Sequence, residues 1–173
     1  MRYLRKHAPA NNKNILPEKL YLPVLAFAVE IVFSRAFFPE WFVFSIEYGL
    51  LFWFVLSNVR GNGTWPYLIG LGTLLNFAVI SANGFRMPVW SSFFGESGKG
   101  ELIDALHRGE VFGYTLVEES THLPFLADVI GFSFYGGIVG FASLGDLFLL
   151  VGVGIILYRI MSGRGSYRRD SCG

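Results

Sequence analysis

The sequence predicts an all-α integral membrane fold: four transmembrane helices, a re-entrant or interfacial segment, and a short external amphipathic helix. Three observations carry that expectation. The 173 residues are 53% hydrophobic and only 16% charged, with a mean hydropathy of +0.47, too apolar and charge-poor for a soluble domain of this size. Apolar runs long enough to cross a hydrocarbon core of ~30 Å recur along the chain, separated by short polar turns. The formal net charge of +1 hides a segregation of sign, because basic residues collect at the two ends and acidic ones in a single long loop.

Residues 1–20 carry Arg2, Arg5, Lys6, Lys13 and Lys19 against Glu18 and read as a basic cytoplasmic tail that touches anionic lipid. The first span is expected over 21–38, ended by Pro39-Glu40, and is long enough to remain as a signal-anchor rather than be cleaved. A second span over 41–59 follows after a few residues, so the two helices are antiparallel neighbours. Arg60-Gly61-Asn62-Gly63 reads as a tight turn, and Trp65-Pro66 opens a third span, 65–82, at the interface.

The segment 83–143 reads as an external loop. Between Ser91 and Pro124, Lys99 and Arg108 stand against Glu96, Glu101, Asp104, Glu110, Glu118 and Glu119, so the loop is acidic. Within it, Glu101 to Glu110 separates Leu102, Ile103, Ala105 and Leu106 from its charged residues and predicts a short helix on the membrane surface. Val129 to Ala142 is apolar but short and glycine-rich, which fits a re-entrant or interfacial segment better than a span. The last span is expected over 144–161, followed by a basic tail, 163–173. With 21–162 as one transmembrane domain of four spans, both basic ends and Arg60 fall on the cytoplasmic side and the acidic loop outside.

Polar residues inside the spans are costly and face a partner or a cavity. Arg35 and Glu47 are placed for an ion pair between helices one and two, and Glu30, near mid-membrane, calls for Asn76, a polar cavity or a partner subunit. At the outer face, Asn83-Gly84-Phe85-Arg86-Met87-Pro88 presents Arg86 on a bent backbone. Asp128 opens the glycine-rich run, and Asp146 lies in the first turn of the last span with Ser143 as its N-cap. Two uses follow. Arg86 pairs with Asp128 or Asp146 as a structural tie, or it holds an anionic head group while His122, Asp128 and Asp146 serve as candidate catalytic residues. Asn83, Arg86, Asp128 and Asp146 are thus the candidate binding residues. No metal signature, phosphate loop, dinucleotide fingerprint or Gly-x-Ser-x-Gly is present, and the single cysteine, Cys172, leaves no internal disulfide. Cofactors stay open.

Asn83-Gly84-Phe85-Arg86-Met87-Pro88-Val89, then Leu126-Ala127-Asp128-Val129-Ile130 and Ser143-Leu144-Gly145-Asp146, with His122 between, resemble the motif series of an uncharacterised bacterial family of small multi-pass membrane proteins, a domain of unknown function. The chain departs from that pattern at Phe85, where a glycine is expected, and at Gly131, where a proline is expected. The resemblance implies a cell inner membrane location, groups Arg86, Asp128 and Asp146, and adds no chemistry. The expected role is a membrane-complex subunit or scaffold that recognises a lipid head group or a membrane-protein partner at its outer face, with no nucleic-acid partner. An enzyme acting on a lipid or prenyl-linked substrate is the alternative, and a small transporter component using Glu30 and Glu47 the third.

Overall fold

The structure, a computed structural model, describes residues 16–35, 38–60, 63–91, 99–134 and 137–169. The tail over 1–15, Gly61-Asn62 of the expected tight turn, Gly136 of the glycine-rich run and residues 170–173 lie outside them.

Five helices are described: α1 (Tyr21–Phe33), α2 (Glu40–Asn58), α3 (Trp65–Ala82), α4 (Lys99–His107) and α5 (Leu144–Arg169). Helix α2, helix α3 and the Leu144–Ser162 part of α5 are long and apolar enough to cross a membrane. Helix α1, with 13 residues, is shorter than the run expected to Phe38. It closes with the Ser34 N–H donating to Glu30 O at 2.9 Å. Pro39 then restricts Phe38 to extended backbone, and Phe38 folds back edge-on against Phe33 with ring centroids 4.8 Å apart. Helix α3 starts where its Trp-Pro pair predicts. Trp65 is buried against Phe54 at 5.8 Å between ring centroids. Helix α5 continues through the expected C-terminal tail as far as Arg169.

The helices pack in sequence, α1 on α2, α2 on α3 and α3 on α5. The α3–α5 contact is close because glycines meet across it. A side chain at Gly72 would stand 2.5 Å from Gly145 O, and one at Gly145 would overlap the Asn76 side chain. At one end of the bundle Leu22, Phe54, Val55, Trp65, Ile69 and Ile156 form a buried apolar cluster. At the other, Phe44, Tyr48, Val79 and Ile80 join Met87 and Leu126 from the long loop.

The fold is mostly helical but not all-α. In the loop, β1 (Met87–Val89) runs parallel to β2 (Tyr114–Leu116). The 129–142 run, expected to be re-entrant or interfacial, forms an antiparallel hairpin of β3 (Ile130–Phe134) and β4 (Gly137–Ala142), with a register shift at Phe132/Ser133. The reason lies in period: Ile-Gly-Phe-Ser-Phe alternates large and small residues, which suits a pleated strand rather than a helix face. Helix α4 matches the expected amphipathic helix, but its Leu106 is buried with Val89 and Leu116, so its apolar side packs on the loop's own strands.

Candidate functional site

The candidate site at the loop end of the bundle is assembled by the end of α3. Gly84 (φ +68) and Phe85 (φ +63) are both left-handed, and the Phe85 N–H donates to Ile80 O at 2.9 Å. A glycine at Phe85 would adopt this conformation without strain, which gives the departure from the family pattern a physical meaning. The side chain of Asn83 donates to Val79 O (2.7 Å) and to His122 O (2.9 Å), and its Oδ1 accepts the His122 N–H (2.9 Å). The turn sends the chain into β1, where the Met87 N–H donates to Gly113 O at 2.7 Å. On the other side of β1, Asp128 donates its N–H to Pro88 O at 2.9 Å and bridges to Val89. Backbone pairing thus brings the Arg86-Met87-Pro88-Val89 and Leu126-Ala127-Asp128 motifs together.

Ser143-Leu144-Gly145-Asp146 is a capping box at the start of α5. The Asp146 N–H donates to Ser143 Oγ at 3.2 Å, and Asp146 Oδ2 accepts the Ser143 N–H at 2.8 Å. Asn76 Nδ2 donates to Asp146 Oδ1 at 2.7 Å, while the Ser143 hydroxyl stands 2.9 Å from Asn76 Oδ1 and 2.8 Å from Asp146 Oδ2. Ser143 and Asn76 are buried. Gly145 is required because Asn76 lies against its Cα.

Between these parts lies a cavity of about 260 Å³. Its walls carry four carboxylates, Glu30 from α1, Glu47 from α2, Asp128 from the loop and Asp146 from α5, with Tyr48, Tyr114, Thr73 and Asn76 among them. On three of the lining residues one buried oxygen, Glu47 Oε2, Thr73 Oγ1 and Asp128 Oδ1, has no hydrogen-bond partner among the described residues. Their residues are only 6%, 0% and 3% exposed. Such atoms are costly unless a ligand supplies donors. Burial, and then the neighbouring Asp146, pushes the Asp128 carboxyl up to about 7; burial and Asp128 push the Tyr114 phenol up to about 12.

The expected pairings are redrawn. Arg86 joins neither Asp128 nor Asp146. Its Nε donates to both oxygens of Glu40, at 3.0 and 2.8 Å, and Glu40 Oε1 also accepts the Gly113 N–H at 3.3 Å. Arg86 therefore ties the loop to the first turn of α2. Arg35 makes no pair with Glu47 among the described residues, because α1 ends before it and leaves it exposed in the turn while Glu47 faces the cavity. Glu30 does not bond Asn76, which is taken by Asp146 and Ser143, but it has the polar cavity its depth demanded. His122 is held away from Asp128 and Asp146, on a second pocket with Asn83 and Glu118. Among the described residues no three acidic or histidine side chains stand close enough to hold one metal ion.

Glu40, Thr73, Tyr48 and Tyr114 were not singled out by the sequence. For Tyr48 and Thr73 a local signal existed. Phe44, Glu47, Tyr48 and Leu51 are spaced as one face of a helix, Thr73 and Asn76 share a face of α3, and all line the cavity. Nothing local marks Tyr114.

The sequence profile of a family described as a family of unknown function (DUF5317) matches residues 12–158, which takes in α1 to α3 and most of α5 and extends well beyond the C-terminal half that carries the motifs. No curated protein and no solved structure matches the chain.

Proposed function

This chain belongs to the DUF5317 family, of unknown function, and we propose that it is a multi-pass protein of the bacterial inner membrane whose outer-face cavity recognises a positively charged group, carried by a lipid head group or by a partner membrane protein. Four spans, 21–38 in part as α1, then 41–59, 65–82 and 144–161, make one transmembrane domain within 21–162, flanked by basic tails 1–20 and 163–173. Both termini face the cytoplasm and 83–143 faces outward. The supporting pattern is the gathering of Lys19, Arg60, Arg159 and the C-terminal arginines at the end opposite the acidic loop. The β3–β4 hairpin belongs at the interface or against protein, since open strand edges are not tolerated in hydrocarbon.

One observation carries the recognition proposal: four carboxylates line one cavity, and three of its lining residues each carry a buried oxygen with no hydrogen-bond partner among the described residues. That lining favours a cation over the anionic head group expected for Arg86, whose guanidinium is committed to Glu40. Transport is less well supported, because the next turns toward the cytoplasm meet in the apolar cluster of Phe54, Val55, Ile69 and Ile156. The test is native mass spectrometry of protein extracted gently from its host membrane. A cationic lipid or basic partner should remain on the wild type and be lost from Glu47→Gln, whereas a wild-type protein that comes out bare would reject the proposal.

One further observation favours acid–base chemistry on a lipid or prenyl-linked substrate as a second function. The Asp128 carboxyl, raised to about 7 by burial and by Asp146, would exchange a proton near neutral pH. In that case Asp128→Asn should abolish turnover of a bound substrate without releasing it.

A further inference from the structure

The cavity has a floor, a roof and two solid walls, and its fourth side is different. Below it lies the Phe54–Ile69–Ile156 cluster. Above it, Met87, Gly113 and Tyr114 of the loop are held down by the Arg86–Glu40 tie and by the stacking of Phe44 on Phe112 at 5.8 Å. Helices α2 and α3 pack on each other and form the back. Helices α1 and α5 both contribute to the lining, yet α1 packs on α2 and α5 on α3, and the two barely touch each other. On that side Phe27 of α1 lines the cavity while remaining 56% exposed, and Leu149 of α5 lines it opposite. An aromatic residue that is at once a cavity wall and an exposed surface marks a mouth. The surfaces beside it, Val24 and Ile31 on α1 and Leu150 and Val153 on α5, are exposed and apolar.

Resting on the cation-recognition reading above, we infer that the cavity opens sideways into the bilayer through the gap between α1 and α5, and that its ligand is a cationic amphiphile. Its ammonium-like head sits among Glu47, Asp128 and Thr73, and its alkyl chain passes over Phe27 and Leu149 into the lipid. The chemistry of the two zones agrees with this division. The carboxylates and hydroxyl of Glu47, Asp128 and Thr73 at the inner end accept N–H donors, and Phe27 and Leu149, one turn from Glu30 and Asp146 on their helices, present carbon at the mouth. A cavity of about 260 Å³ also holds a head group and the first part of a chain, but not a whole lipid.

Two probes separate this inference from the reading it rests on. The full-length protein in a non-ionic detergent is titrated with dodecylammonium and with butylammonium, which share a head and differ in chain length, and bound adducts are read by native mass spectrometry. Dodecylammonium should bind at least about tenfold more tightly than butylammonium, because its chain buries additional methylenes. Phe27→Ala should weaken dodecylammonium roughly threefold or more while leaving butylammonium unchanged. Phe27 is exposed, so the substitution leaves the packed core intact, and Leu25→Ala on the same helix, away from the mouth, should change neither probe. Equal affinity for the two amines, or a Phe27→Ala protein indistinguishable from wild type, would overturn the sideways mouth while leaving cation recognition standing. Failure of the wild type to bind either amine would overturn both.

Discussion

The two halves of the helix bundle, the one beside the α2–α3 turn and the one beside the long loop, use the same helices and even the same fastening, but they fill the space between the helices with opposite chemistry. At the α2–α3 turn end Asn58, near the last turn of α2, donates to Phe54 O and to Glu18 O, each at 2.9 Å, and accepts the Glu18 N–H at 2.7 Å. At the loop end Asn83, just after α3, repeats that pattern on Val79 and His122. Each asparagine satisfies a carbonyl of its own helix and clasps the backbone of a segment some forty residues away in sequence. Between the clasps, the half beside the α2–α3 turn is closed with Phe, Trp, Val, Leu and Ile, whereas the loop half places carboxylates and a hydroxyl on residues that line a cavity. What holds a helix end in place is thus independent of whether the interior beside it is packed for stability or kept open for a ligand.

The sharpest way to break this contrast is to make a cavity in the packed half. Phe54→Ala should cost about 3–5 kcal/mol, as for other buried aromatics, and lower the thermal midpoint, while the protein that remains folded binds cations as before. Where the halves meet, Gly145→Ala drives a methyl into Asn76 and toward Gly72, and a loss of roughly 1–3 kcal/mol should appear as poorer accumulation in the membrane. In the loop half, Arg86→Gln releases the half-buried Glu40 tie. A cost of about 1–2 kcal/mol should show together with faster hydrogen exchange at the Gly113 amide, which shares the Glu40 carboxylate.

Asp128 sharpens the comparison in another way, because there stability and binding should move oppositely with pH. Its folded pKa, about 7, lies above the ordinary aspartate value, so the folded state holds a proton that the unfolded chain has already released. The associated stability is complete below about pH 4 and is lost as pH rises toward 7, by up to ~1.4 kcal/mol per pH unit. Cation binding should strengthen over the same window as the carboxylate forms. Asp128→Asn should flatten both slopes in pH-dependent unfolding and in amine titration; an unchanged slope would assign the proton to another acid of the cavity. The smallest effect expected is from Gly84→Ala, a left-handed position with open space around it, at about 1 kcal/mol of strain and no change in binding.

The contrast also explains what could be read from the chain. Helices α2 and α3, and the start of α5, were legible to within about a residue because apolar run length, Pro66 and the Ser143 cap are local signals. The grouping of Arg86 with Asp128 and Asp146 followed from their places at the ends of apolar runs and from a resemblance, and the pairing of Asp128 with Pro88 and Val89 supplies its cause for Asp128. The Glu40–Arg86 tie was hidden because 46 residues separate the partners and Asp128 and Asp146 both stood as candidate acids for one arginine. The hairpin was missed because glycine content and length were weighed above alternation. The cavity could be demanded from Glu30 alone, but its lining is drawn from four helices and a loop, and no short window of sequence contains it.

The shortness of α1 has a mechanical consequence for the surrounding bilayer. Its 13 residues span only ~20 Å along the helix axis, against a hydrocarbon thickness of ~30 Å, whereas α2, with 19 residues, is nearly long enough unaided. In the proposed four-span arrangement the neighbouring lipids would thin on the α1 flank and keep full thickness on the other, so that the molecule would sit in a tapered annulus. That taper would bring one headgroup layer toward the level of Glu30 on the α1 side. Elastic deformation would then favour short-chain lipids at this flank and disfavour the protein in thicker, stiffer membranes.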